Sequence, residues 1–286
     1  MNEKLAALSK LKKQLQIFSI FFVVCGVVII FLLSAKPVTG FMLTLALIAV
    51  YLLLFRQMTK AYRQAVKQAM LEEGLRPFLK NISYERKDGI DGSLILGAGL
   101  LPNETPKNLL IRDTVQGDYQ AMPVFLTDVT TNFKSFKSQA NGSEKAMVDF
   151  MSGCYFDIRL RGDGGDFILW PKALLPEKSR EHYFSKKTAA PAPGLLSDAF
   201  LLYWEPGRDA PEISAEAEKA IHRLSEYTPG EVCVQVSGGH LRIFIRSRFL
   251  FTYHIPGRTE MTARILSTNP FPELPYLLRV ADAVMK

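Results

Sequence analysis

An α+β fold carried behind a helical membrane hairpin is the architecture this sequence predicts, and three observations predict it. Two apolar runs, Ile17–Ser34 and Phe41–Phe55, stand close together near the N-terminus. Further on, short alternating stretches are separated by glycine-containing turns, as at Ser237-Gly238-Gly239-His240. Helical patterns fall among and after these strands without a regular strand–helix alternation. Hairpins are therefore favoured over βαβ crossovers, and a mainly antiparallel sheet is expected.

The apolar runs come first. Apart from the Cys25 thiol and the Tyr51 phenol, neither contains an ionisable side chain. About 18 helical residues reach about 27 Å, close to the roughly 30 Å hydrocarbon thickness of a bilayer. Lipid offers no partner to backbone N–H and C=O groups, so both runs are read as helices, joined by a tight turn over Lys36–Gly40. A cleaved signal segment has a shorter apolar region, and a soluble hairpin carries a polar stripe on each helix. Neither pattern is present. Lys4, Lys10, Lys12 and Lys13 precede the first run, and Arg56, Lys60, Arg63 and Lys67 follow the second. Basic flanks stay inside, so both termini and the C-terminal domain are expected on the cytoplasmic side.

Three regions result: a foot and hairpin over 1–55, a basic juxtamembrane helix over 56–80, and an α+β domain over 81–286 that 188–194 would divide if it has two lobes. Residues 1–16 form the foot of the first membrane helix, or alternatively a surface-lying amphipathic helix. The chain of 286 residues carries a net charge of +7, and three cysteines supply no disulfide framework.

In chain order, the second membrane helix continues past Phe55, with nothing to break it before Gly74. Residues from Asn81 read as an irregular, glycine-punctuated segment. Strands Leu109–Val115 and Tyr119–Val129 are expected to pair across Gln116-Gly117-Asp118. Asn132–Phe150 reads as polar, with a short helix from Ser143. A second hairpin joins Cys154–Arg161 to Asp166–Trp170 through Gly162-Asp163-Gly164-Gly165. Pro171–Pro193 reads as a long basic loop ending in a semi-stiff spacer. A strand at Phe200–Trp204 follows, then a helix opened by Ser214 and closed by Pro229-Gly230. Glu231–Val236 and Leu241–Arg246 form the third hairpin, Phe249–His254 another strand, and Glu260–Leu266 and Glu273–Met285 the last helices.

Chemistry is sparsely marked. Gly97-Ala98-Gly99 lacks the third glycine of a dinucleotide loop, and no glycine-rich loop ends in Gly-Lys-Ser/Thr. His182, His222, His240 and His254 show no metal-ligand spacing, and Cys154 and Cys233 fall in strands as small hydrophobes. No metal, cofactor or catalytic residue is assigned. Pointed chemistry lies in Leu241–Phe249, where Arg242, Phe244, Arg246 and Arg248 share one strand face. Arginines beside an aromatic ring can hold a phosphate or an acidic partner, and Lys186 and Lys187 add charge from the basic loop. The bland reading is a solvent-facing strand whose arginine stems cover Phe244.

Asp113-x₃-Gly117-Asp118-Tyr119, Tyr155-Phe156-Asp157-Ile158, Phe200-x₂-Tyr203-Trp204 and Gly239-His240-Leu241-x-Ile243-x-Ile245, behind two N-terminal membrane helices, give the chain a recognisable layout. It resembles an uncharacterised bacterial family of membrane-anchored domains of unknown function. The resemblance implies a β-rich cytoplasmic domain at the bacterial inner membrane and assigns no activity. The leading expectation is a non-enzymatic module that places a partner protein at the membrane, as a monomer or a homo-oligomer. The alternatives are an anionic-lipid headgroup-binding domain and a tethered hydrolase or transferase whose site the sequence does not mark. Nucleic acid is not expected as a partner.

Overall fold

The computed structural model describes residues 2–35, 37–86, 90–102, 109–138, 144–162, 165–228, 231–250 and 262–286. The chain divides into two compact units, Met1–Gly74 with His254–Asn269, and Leu75–Tyr253 with Pro270–Lys286.

In the first unit, helix α1 (Asn2–Ala35) and helix α2 (Pro37–Leu75) run antiparallel. Lys4 near the start of α1 reaches Glu72 at 2.6 Å and Glu73 at 2.9 Å, near the far end of α2. Further along, the Tyr51 ring lies 5.0 Å from Phe22 and 6.1 Å from Phe18. Both helices are long and apolar enough to cross a membrane. Ile20, Phe21, Val24, Leu52 and Leu53 point outward and are exposed, an arrangement that water penalises and a bilayer suits. Residues 2–16 are the continuous foot of α1, with Leu8 buried, and not a separate surface-lying helix. Helix α6 (Ala263–Leu266), capped by Thr262, belongs to this unit, and the first residues of its expected span lie outside the described residues.

The second unit is built on one nine-stranded sheet. Its strands are β1 (Lys80–Glu85), β2 (Leu110–Tyr119), β3 (Met122–Ser138), β4 (Glu144–Arg159), β5 (Phe167–Pro171), β6 (Thr188–Pro191), β7 (Phe200–Trp204), β8 (Val232–Ser237) and β9 (His240–Arg246). They lie in the order β1-β2-β3-β4-β9-β8-β5-β7-β6, with every neighbouring pair antiparallel. The α+β architecture with a mainly antiparallel sheet is as the sequence predicts. Helices α3 (Gly92–Gly97), α4 (Glu177–Phe184), α5 (Ala215–Tyr227) and α7 (Leu274–Val284) accompany the sheet.

Several elements stand where expected. β7 matches its predicted span, Ser214 caps α5 by accepting the Ala217 N–H at 3.2 Å, and Gly238-Gly239 turn the β8–β9 hairpin at φ 58° and 72°. Pro229-Gly230 lie outside the described residues.

Other elements differ, each for a physical reason. The β2–β3 turn is at Gln120-Ala121, both at positive φ (49° and 64°), where side chains other than glycine or asparagine give little signal. Gly117 sits inside β2, because a Cβ there would meet the Lys80 carbonyl oxygen at 3.0 Å and Leu79 Cβ at 3.3 Å. Of the helix expected at Ser143–Phe150, the described residues 144–150 are strand: β3 and β4 stay paired from Thr130–Ser152 out to Ser138–Glu144, past the ends of β2 and β9. Helix α4 covers the open edge of this ribbon, with Ser179 Oγ accepting the Phe136 N–H and Tyr183 Oη that of Lys134. The irregular segment after Asn81 contains β1 and α3. The long basic loop contains α4 and β6, so 188–194 joins the same sheet through Ala189–Tyr203 and Ala190–Leu202.

β4 and β5 are not a hairpin, because the β8–β9 hairpin inserts between them. That turn's Asp163 and Gly164 are outside the described residues, as are residues 251–254 of the expected strand Phe249–His254; Leu250 itself is buried. Insertion places β9 deep in the sheet, with both faces buried. On one face Phe244 lies between Tyr155 and Cys233, over a core that includes Trp170, Phe184 and Ile95. On the other, Ile243 lies between Phe156 and Val234, and Ile245 between Cys154 and Val232.

Candidate functional site

The arginines of β9 point where strand alternation sends them, and the sheet brings a carboxylate to each. Arg242 pairs across the strands with Asp157, Nε to Oδ2 at 3.0 Å, while the other Asp157 oxygen meets His240 Nδ1 at 2.7 Å. Asp157 is buried, so this three-residue cluster is an internal tie between β4 and β9. Arg246 Nη1 lies 3.4 Å from Glu231. Arg248 falls beyond β9, after Ser247 turns the chain at φ 60°, and pairs with the fully buried Glu273 at the head of α7. Phe244 is completely buried and offers no ring to a ligand. Lys187 pairs with Glu205, and nearby Arg208 pairs with Asp166 at 2.9 Å. Lys186 is exposed. The strand's charge is thus spent on cohesion, and its aromatic is core.

Asp157→Ala is expected to lower the stability of the sheet domain by about 3–5 kcal/mol, since Arg242, mostly buried, would keep its charge without the Asp157 counter-charge. Urea unfolding followed by Trp170 and Trp204 fluorescence measures this. An additional Arg242→Met should recover most of the loss, and equal single and double variants would remove the ion pair from the account.

Cationic side chains without a carboxylate partner among the described residues gather elsewhere, on the paired helices α5 and α7. Helix α5 buries Ala217, Ile221 and Leu224 and turns Lys219 and Arg223, one helical turn apart, to solvent. Helix α7 buries Leu274, Leu277, Leu278 and Ala281 and exposes Arg279. Between them is a cleft of about 240 Å³ with Ala220 and Ala283 along it. Tyr276 lines it, stacked on Tyr227 at 4.1 Å and 19°, with the Arg279 guanidinium 5.6 Å from its ring centre. Lys286 holds Glu216 at 3.1 Å at the other end. Lys219, Arg223 and Arg279 make no ion pair with any described residue. Sequence reading missed this cleft because its parts lie more than fifty positions apart; the Lys219–Arg223 spacing on a capped helix was the available signal.

The remaining reactive groups are held apart or muted. Burial pushes the Cys154 and Cys233 thiols well up, and the two occupy opposite faces of the sheet. His222 meets Glu226 on its own helix at 3.3 Å, His182 packs on Phe136, and His254 lies outside the described residues. Among the described residues no three His, Cys, Asp or Glu side chains form a metal-binding group. Comparison with family models, with curated proteins and with solved structures finds no match.

Proposed function

We propose that this chain is a two-pass membrane protein whose sheet domain, on the cytoplasmic side of a bacterial inner membrane, docks a partner protein through the α5–α7 face. The carrying observation is the cleft itself: cations from two helices, without a carboxylate partner among the described residues, beside an aromatic ring and an alanine-lined groove. Two outward-apolar helices with basic flanks support the anchor and its orientation. The headgroup-binding alternative through Arg242–Arg248 and Lys187 draws less support, because those cations already meet Asp157, Glu231, Glu273 and Glu205.

Site-specific photo-crosslinking tests the reading in the full chain in native membranes. A benzophenone side chain at position 220 should crosslink one protein stoichiometrically, and the same group at exposed Leu94 should not. A partner captured from position 94 and absent from position 220 overturns it.

A further inference from the structure

We propose that the occupant of the α5–α7 cleft is an acidic polypeptide segment: carboxylates meet Lys219, Arg223 and Arg279 while an apolar side chain lies along Ala220 and Ala283. This names the partner's chemistry and rests on the docking reading above. The charge pattern selects the class. Lys219 and Arg223 are four residues apart on one helix, about 6 Å along its axis, and Arg279 comes from the other helix. Carboxylates spaced along a chain suit such a distributed row. A phosphate is instead gripped by donors converging on one point, usually including free backbone N–H groups. Here the cations project from within helices whose N–H groups are already bonded.

The groove also argues against a highly charged polyanion. Its alanines give an apolar strip, and Tyr276 gives a flat wall that Arg279 already shares. Glu216, which lines one end of the cleft, is already paired with Lys286 at 3.1 Å, so the row of open cations ends there. The α5 stretch from Glu216 to Tyr227 measures about 16 Å, enough for about five extended residues. A short acidic segment with one apolar side chain among its carboxylates satisfies the charge, the strip and the length together.

The test uses the full chain in phosphatidylcholine nanodiscs and two fluorescein-labelled pentapeptides, Glu-Glu-Phe-Glu-Glu and Gln-Gln-Phe-Gln-Gln, read by anisotropy. The acidic peptide should bind, weaken with added salt, and lose about tenfold or more in affinity with Arg223→Glu/Arg279→Glu. Both substitutions are at exposed positions, and an unchanged thermal transition verifies that the domain is folded. Lys186→Glu, outside the cleft, should leave binding unchanged. Equal binding of both peptides, no binding of either, or binding indifferent to the double variant overturns the acidic class. Flotation with phosphatidylglycerol vesicles that the double variant abolishes, without peptide binding, overturns it in favour of lipid phosphate. If position 220 crosslinks a protein that the acidic peptide does not displace, the docking reading stands and the acidic class falls. If position 220 crosslinks nothing, the docking reading itself fails.

Discussion

Gly153→Ala should disrupt the sheet severely, at the seam where β4 meets β9. A Cβ at this position would stand 2.1 Å from the Ile245 carbonyl oxygen, 2.9 Å from its carbon and 2.8 Å from the Phe244 ring. The ring could turn aside, but the backbone oxygen cannot without parting β4 from β9. Gly153 opposes Arg246 in that pairing and Val129 in the pairing with β3. The β4–β9 junction joins β1–β4 to the β9-β8-β5-β7-β6 half of the sheet. Overpacking a core ordinarily costs about 1–3 kcal/mol, and a backbone clash at such a seam belongs at or above the upper end. The expected result is a loss of at least about 3 kcal/mol in urea unfolding, or failure to accumulate folded protein. An unchanged midpoint would show that the strands separate freely there and that the register is not closely held.

Arg248→Met should cost about 3–5 kcal/mol, because it strands a charge rather than removing a contact. Glu273 is fully buried at the head of α7; its Oε1 takes Arg248, while its Oε2 has no hydrogen-bond partner among the described residues. The backbone carbonyl of Glu273 accepts the Leu277 N–H at 3.1 Å, so the buried carboxylate sits at the point from which α7 begins. Placing Gln at 273 in the same chain should restore most of the stability, since a neutral amide loses far less on leaving water. If the double variant is as unstable as the single one, the loss comes from packing of the arginine stem. The α5–α7 cleft should respond with it, because Tyr276 and Arg279 lie one and two turns beyond Glu273 on the same helix. Peptide affinity and stability should therefore fall together in Arg248→Met, and affinity alone in Arg223→Glu/Arg279→Glu.

Local chemistry was legible wherever it was self-sufficient. Ser214 announces its helix because the cap needs only the next three residues, and Gly238-Gly239 announces a two-residue turn because few other residues accept two successive positive φ angles. The β2–β3 turn was misplaced for the complementary reason. Gln120 and Ala121 accept the same strained angles, held there by the long pairing on either side, while Gly117 is required by the close approach of β1. The paired strands over 132–138 and 144–150 looked polar, and in part helical, because their stability comes from cross-strand pairing and from α4 at the edge, which no local pattern announces.

The candidate site shows the same division more sharply. Alternation along β9 was enough to place Arg242, Phe244 and Arg246 on one face. Which face is open was not decided by β9, since a strand's neighbours are chosen by the whole sheet. Insertion of the β8–β9 hairpin beside β4 put Asp157 opposite Arg242 and closed Phe244 between Tyr155 and Cys233.

From residue order alone came the two outward-apolar helices, the antiparallel α+β plan, the cap of α5 and the alternation of β9: each depends on spacing within a dozen residues and on the cost of leaving a backbone group unpaired or an apolar side chain in water. The strand order, the neutralisation of the β9 arginines and the meeting of Lys219, Arg223 and Arg279 arose only on folding. Those outcomes depend on contacts between distant segments, and a buried charge takes whichever counter-charge the packing delivers.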